Sequence, residues 1–254
     1  MKSTEPRNNA ARFRRIGVAR VLSKAGHCSR SEAAVLVAAG RVAVNADIVR
    51  DPEHPVDASR DRVTVDGHLL LVAERIYLML NKPRGLVTTV RDEQGRDTVY
   101  RCFDGNGLPW IAPVGRLDRA SEGLLLFSND PEWAASVTHP ESGPVKTYHV
   151  QVDKIPQAAL LASVHAGVRE DGELLAAKSV RVLRVGEKNA WLEIVLDEGR
   201  NRHIRRLLAA FDIAVLRLIR VAIGPLALGE LPKAQWRHLS MQEADDLAPQ
   251  EIAR

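Results

Sequence analysis

Two cysteines, Cys28 and Cys102, are all that 254 residues provide, and no C-x-x-C pair exists. Neither a disulfide framework nor a zinc site is suggested by that count, and two isolated thiols suit a reducing cytoplasm. Aromatic residues make up 4% of the chain, too few for a stacking platform that would hold single-stranded nucleic acid of any sequence. No apolar run approaches the length of a membrane span, and the polar, basic first thirty residues do not resemble a secretory signal. The eight histidines show no H-E-x-x-H or comparable ligand spacing, and no G-x-x-x-x-G-K-[ST] phosphate loop occurs. The expectation is a cytoplasmic protein that needs no cofactor and no metal.

What remains supports a folded chain with a charged end. Hydrophobic residues form 45% of the sequence, enough for one medium and one small core. Residues 1–67 hold 12 Lys/Arg against 8 Asp/Glu, while the other 187 residues hold 24 of each, so the whole formal excess of +4 lies in the first quarter. Clustered positive charge of this kind binds phosphate backbones through counterion release.

Periodicity divides the chain. Residues 1–15 are polar and arginine-rich and read as a disordered basic tail. Val18, Val21, Leu22 and Ala25 recur at helical spacing up to Gly26. Ser29-Arg30-Ser31-Glu32 has the form of a capping box and opens a second helix that Gly40 stops. Short strands follow at 41–45 and 62–67. Residues 68–75 read as a linker, 76–240 as the larger domain with an Ile76–Leu80 strand at its start, and 241–254 as a C-terminal tail. The stretch 91–113 reads as a surface loop.

Three constellations carry chemistry. In Gly115-Arg116-Leu117-Asp118-Arg119-Ala120-Ser121-Glu122-Gly123 a lone carboxylate lies between two arginines, in a glycine-bracketed loop that feeds the apolar run Leu124–Phe127. Neighbouring cations favour an ionised carboxylate, which suits a nucleophile better than a proton donor. The plainer reading is an Asp that bonds its own turn. In Lys146-Thr147-Tyr148-His149-Val150-Gln151-Val152, alternation places Lys146, Tyr148, Val150 and Val152 on one strand face. In Asn201–Leu208, Ile204, Leu207 and Leu208 form the buried stripe of an amphipathic helix, with Arg202, Arg205 and Arg206 opposite.

"GRLDRASEGLLLFSND" resembles the catalytic motif of the RNA pseudouridine synthases, in particular the RsuA family that modifies ribosomal RNA. Ser121 stands where family members usually have Thr, and neither this change nor Pro131 removes a reactive group. "K-T-Y" after His139-Pro140 is similar to the second family motif, "G-R-N-R-H-I-R-R" to the third, and "K-P-R-G" at 82–85 to another, with Lys82 and Pro83 read as structural. "VLSKAGHCSRSEAAVLVAAGRVAVN" resembles the S-four-type αL RNA-binding domain. There the family text Asn-Gly becomes Asn45-Ala46, pointing to a turn of tighter or different shape.

The resemblance implies an α+β pseudouridine synthase fold, a mixed and mostly antiparallel sheet with flanking helices, behind a small RNA-binding domain at 16–67. It implies isomerisation of uridine to pseudouridine in ribosomal RNA, and a monomer is expected. Asp118 would act as nucleophile, Arg205 would pair with it, and Tyr148 would stack on the base. Attack at C1′, attack at C6 and a glycal route stay open. Arg20, Lys24, Arg30 and Arg41, gathered at one end of the helix pair, and Arg116, Arg202 and Arg206 would bind RNA. The run 217–226 would line the pocket floor with apolar groups. The rival readings are a non-catalytic RNA-binding or ribosome-assembly factor on this scaffold, and a glycosidic-bond hydrolase using Glu122 as a second carboxylate.

Overall fold

A computed structural model describes residues 15–248. The chain forms two compact units, divided after Glu74. The expected basic tail, Arg15 apart, lies outside the described residues.

The first unit contains β1 (Ile16–Gly17), α1 (Val18–Lys24), α2 (Arg30–Ala38), β2 (Val42–Val44), β3 (Asp47–Val49), β4 (Pro55–Val56), β5 (Val63–Val65) and β6 (His68–Leu69). Ser29 caps α2 as its sequence dictates: its hydroxyl accepts from Glu32 N at 3.1 Å, and Glu32 accepts from Ser29 N at 2.9 Å. Both helices press Val18, Leu22, Ala33 and Val37 onto Val42, Val56 and Val65 of the strands. The four-stranded sheet runs β3-β2-β5-β6, and β1 pairs separately with β4. Strands β3 and β6 are short, mostly exposed edges without an alternating signature, so sequence periodicity does not reveal them. The expected linker is therefore partly wrong: His68 and Leu69 pair with β5, and Ala73 N bonds Ala25 O at 2.9 Å, which ties the segment to the first unit.

The Asn45-Ala46 turn is not reshaped. Val44 pairs with Asp47, leaving a two-residue loop with φ of 51° and 77°, the type I′ geometry that suits strand twist. Asn45 tolerates this conformation because its side chain bonds Asp61 and Arg62 N, each at 2.9 Å. Ala46 has no such compensation.

The second unit holds β7 (Tyr77–Lys82), β8 (Ala112–Val114), β9 (Glu122–Ser128), α3 (Pro131–Thr138), β10 (Lys146–Val152), α4 (Ala158–Ala166), β11 (Val168–Glu170), β12 (Glu173–Leu175), β13 (Ser179–Val185), β14 (Ala190–Leu196), α5 (His203–Ala209), β15 (Val215–Ile223), β16 (Leu226–Ala227), β17 (Trp236–His238) and α6 (Met241–Leu247). Its main sheet runs β13-β14-β10-β15-β9-β7-β17, with β16 on β15 and β8 on β9. Every pairing in it is antiparallel except β9 with β15, so the fold is the expected α+β class with a mixed, mostly antiparallel sheet.

Strands β7 and β9 are buried along their whole length. Leu78, Leu80, Leu125 and Phe127 enter one core, while Tyr77, Met79, Leu124 and Leu126 enter another on the opposite face. That explains their continuous apolar runs, since alternation survives only where one face meets water. β10 keeps alternation, burying Tyr148, Val150 and Val152.

Two further expectations need correction. Residues 91–113 are not simply surface, because a 3-10 turn at Val99–Phe103 delivers Val99 and Phe103 to the core beside Ile111. Residues 241–247 are not tail but helix α6. Ser240 and Glu243 form the same capping box as Ser29 and Glu32, and Trp133 Nε1 donates to Ala244 O at 2.8 Å. Among the described residues no helix is long and apolar enough to cross a membrane.

An L-residue in the left-handed region is strained by about 1–2 kcal/mol. Ala46→Gly should therefore raise the stability of the first unit by about 1 kcal/mol, measured by urea denaturation of the full chain. A neutral or destabilising result would argue against strain at this turn.

Candidate active site

Strand register assembles one face of the site. On β10, Tyr148 lies between Ile194 of β14 and Arg220 of β15, while Lys146 pairs with Leu196. Side chains two apart on a strand share a face, so Lys146, Tyr148, Leu196, Leu218 and Arg220 form a continuous floor. Above this floor opens a cavity of about 200 Å³ that also meets Asp118, Arg116, Arg202 and Arg205.

Asp118 is brought there by β9. The parallel pairing of β9 with β15 sets Gly123 opposite Arg220, and a Cβ on Gly123 would stand 2.2 Å from Arg220 O. Its φ of 101° also belongs to glycine. Only a glycine lets the two backbones close at this point. Glu122, one residue earlier, is buried and held by Arg217 at 2.8 Å and Lys233 at 2.6 Å. Burial pushes its carboxyl up, but the bonds from Arg217 and Lys233 outweigh this and leave it below the usual range.

The Asp118 loop is fastened along its backbone by the 82–88 segment. Lys82, fully buried, donates to Pro83 O, Asp118 O and Ser121 O at 3.1, 3.2 and 2.9 Å. Burial pushes its ammonium down to about 8, against the opposing pull of Asp118. Thr88 Oγ1 donates to Leu117 O at 2.8 Å, and Gly85 N donates to Arg119 O at 2.8 Å. The backbone carbonyls of residues 117, 118 and 119 are thus all engaged. By contrast, the Asp118 carboxylate accepts no hydrogen bond from another described residue. An Asp serving its own turn would spend its oxygens on nearby N–H groups, so the plainer reading does not describe this residue.

Arg205 arrives from α5. The helix starts at His203, two residues later than its sequence pattern indicates, because Arg202 adopts the left-handed conformation at its N-cap. Ile204, Leu207 and Leu208 are buried as their spacing requires. Arg205 does not form the expected close ion pair with Asp118. Its Nη1 and Nη2 donate to Val215 O at 3.2 Å and Ala120 O at 3.3 Å, which staples the helix to β15 and to the Asp118 loop. Burial first, then the Arg202 charge, pushes the Arg205 guanidinium down, while Asp118 acts in the opposite sense. The two groups interact through space, inside one cavity.

Other expected RNA contacts separate into two groups. Arg116 and Arg202 line the cavity. Arg206 does not: it bonds Glu170 at 2.7 Å and Glu173 at 3.0 Å and anchors the β11-β12 hairpin, because its helical position turns it toward that acidic pair. In the first unit Arg20 and Arg30 are exposed, Arg30 lying 3.7 Å from Glu53, and Lys24 is half-buried. Arg41 is at the opposite end of α2 from Arg30, about 14 Å along a nine-residue helix. It is clamped by both Asp66 oxygens at 2.6 and 2.8 Å, so the expected four-cation cluster is not formed. The floor residue Arg220 stands outside the expected set: the 217–226 run brings a buried cation to the cavity, not only apolar groups. Alternation from Leu218 is the signal that locates it.

Residues 76–210 match the RNA pseudouridylate synthase family, and residues 17–63 match the S4 domain. The first match alone spans more than half of the chain. This chain belongs to the RNA pseudouridylate synthase family. It is 36% identical over 234 residues to an uncharacterized RNA pseudouridine synthase of Aquifex aeolicus, covering 91% of this chain and 93% of that protein. It is 37% identical over 235 residues to ribosomal large subunit pseudouridine synthase B of Escherichia coli O157:H7, covering 90% and 81%. A crystal structure of pseudouridylate synthase superposes with a TM-score of 0.64 at 28% identity, over 91% of this chain and 99% of that one. The family assigns the chain as an isomerase that converts uridine in RNA to pseudouridine.

Gly123→Ala would force β9 away from β15. Steric overlap and positive φ together should cost at least about 3 kcal/mol, read by urea denaturation, with product formation abolished. Wild-type stability in this variant would show that the close strand approach is not required.

Proposed function

We propose that this enzyme acts on ribosomal RNA, with Asp118 as its nucleophile. The observation that carries the reading is the meeting of Asp118, Tyr148 and Arg205 at one cavity, with the carboxylate unspent on local bonds. The relative named as a ribosomal large subunit pseudouridine synthase matches along 90% of this chain, which supports ribosomal RNA as the substrate. The non-catalytic alternative would not need a free acid held so rigidly. The hydrolase alternative fails on Glu122, whose carboxylate is consumed by Arg217 and Lys233.

In the reaction the N1–C1′ bond of uridine breaks, the base turns, and C5 bonds to C1′. C5 then gives up its proton and N1 gains one, so atoms and oxidation level are conserved. Asp118 supplies an electron pair to the nucleotide in the step that frees the base. Arg205, fixed by Ala120 and Val215 carbonyls, presents positive charge to the carboxylate without reorganising, which is electrostatic preorganisation. The Tyr148 ring offers a face on which the extruded base stacks. Extrusion costs a few kcal/mol, and the arginines at the cavity help to offset it by binding phosphate. The first unit, an S4 domain, holds RNA by shape and phosphate recognition. We place the enzyme in the cytoplasm as a monomer.

Asp118→Asn is expected to keep RNA affinity within about twofold while product formation, followed by pseudouridine mapping on ribosomal RNA, disappears. Conversion at the wild-type rate would end the nucleophile assignment. Removal of residues 1–74 should weaken RNA binding and make the dependence of log K on log salt shallower, since every phosphate that is no longer neutralised takes about 0.7–0.9 off the slope. An unchanged slope would show that the first unit's charge does not touch RNA.

A further inference from the structure

Two floor cations have no part in the chemistry described so far. Arg220 is 5% exposed, and its Nε donates to Leu124 O at 2.7 Å, which fixes the guanidinium plane. Its Nη2 is buried without a hydrogen-bond partner. Lys146, two residues from Tyr148, is half-buried, and its ammonium makes neither a hydrogen bond nor an ion pair with another described residue. Burial, then the nearby Arg220 charge, pushes its ammonium down.

A buried N–H of a charged group left unpaired costs free energy, so a fold that keeps one is ready for an acceptor from outside. Position in the cavity decides which acceptor. Arg116 and Arg202, which are exposed, suit phosphates in the RNA backbone. Arg220 lies at the floor, immediately beside Tyr148 in the β10-β15 register. A base stacked on that ring brings its edge, not its phosphate, to the neighbouring strand.

We propose that Arg220, supported by the charge of Lys146, is a base-reading residue whose Nη2 donates to a carbonyl oxygen of the bound uracil. Guanidinium is donor-only. It therefore donates to O2 or O4 of uracil and rejects an amino group at the same place, so contact at O4 would exclude cytosine. This inference rests on the assigned isomerase site, since Tyr148 must be the stacking surface.

The test uses the full chain and three free nucleotides: uridine 5′-monophosphate and its 2-thio and 4-thio analogues, titrated calorimetrically. Sulfur accepts hydrogen bonds more weakly than oxygen. Wild type should bind one thio analogue about 10-fold more weakly, and which one identifies the oxygen. Arg220→Met should weaken the parent nucleotide about 10- to 100-fold and bind all three alike. Arg220→Lys, which retains a donor, should restore part of the discrimination and guards against a folding defect in the methionine variant. The same thio penalty in wild type and Arg220→Met, or no penalty in wild type, overturns the proposal. Pseudouridine formation on RNA, measured alongside, reports separately on the function reading: wild type making no product would sink that reading, while the titration still decides the subsite.

Discussion

The close approach of two parallel strands at Gly123 is the junction on which the site depends. β9 and β15 are distant in sequence, and the register Gly123 opposite Arg220 is what carries the Asp118 loop to the floor made by β10 and β15. The remaining fastenings act on that arrangement. Lys82 gathers three carbonyls beneath the loop, Glu122 ties β9 to Arg217 and Lys233, and Arg205 grips Ala120 from the helix side. Backbone carbonyls accept the bonds from Lys82 and Arg205, and the Glu122 carboxylate takes those from Arg217 and Lys233. The carboxylate of Asp118 is left uncommitted while its position is fixed, which is the condition for a nucleophile that does not have to break local bonds before reacting.

Charge around the cavity is arranged by depth. Exposed arginines meet solvent at Arg116 and Arg202, where a polyanion can be received. Arg205 is half-buried against the loop, and Arg220 is almost fully buried at the floor. A cation at depth is costly in proportion to its desolvation, so retaining one beside the Tyr148 ring assigns it a task that a surface arginine cannot perform. The first unit has a small core of its own, and most of the positive excess of the first quarter lies in the fourteen residues of sequence before it.

Much of this is legible in the sequence. The Asp118 loop, the Tyr148 face of β10 and the buried stripe of α5 follow from turn residues, two-residue alternation and 3.6-residue spacing. The first helix pair follows in the same way, helped by the Ser29 capping box, whereas the fold class comes from the family resemblance. Helix α6 carries an identical signal at Ser240-Met241-Gln242-Glu243, but its low apolar content makes it read as tail; Ala244 and Leu247 nevertheless pack on the second core. Other features depend on tertiary partners that no local pattern encodes. The capture of Arg206 by Glu170 and Glu173 requires the β11-β12 hairpin to lie under α5, and the clamp of Arg41 by Asp66 joins residues 25 apart. The left-handed Arg202 delays α5 by two residues and so alters which arginines share a face. The family resemblance implies the Arg205–Asp118 relation as a direct pair, but the guanidinium's bonds go to main-chain carbonyls at Val215 and Ala120.

The proposed role of this junction is to hold Asp118 and Tyr148 on a single nucleotide. Its most direct measurement is a crystal structure of the full chain bound to an RNA fragment whose target uridine carries fluorine at C5, which blocks loss of the C5 proton and halts the reaction after the base is engaged. The flipped nucleotide is expected in the cavity above β10 and β15, its ring parallel to Tyr148 and its reacting carbon in contact with the Asp118 carboxylate. A nucleotide seated away from Asp118, or Asp118 turned from the cavity with the fluorinated base in place, would contradict it.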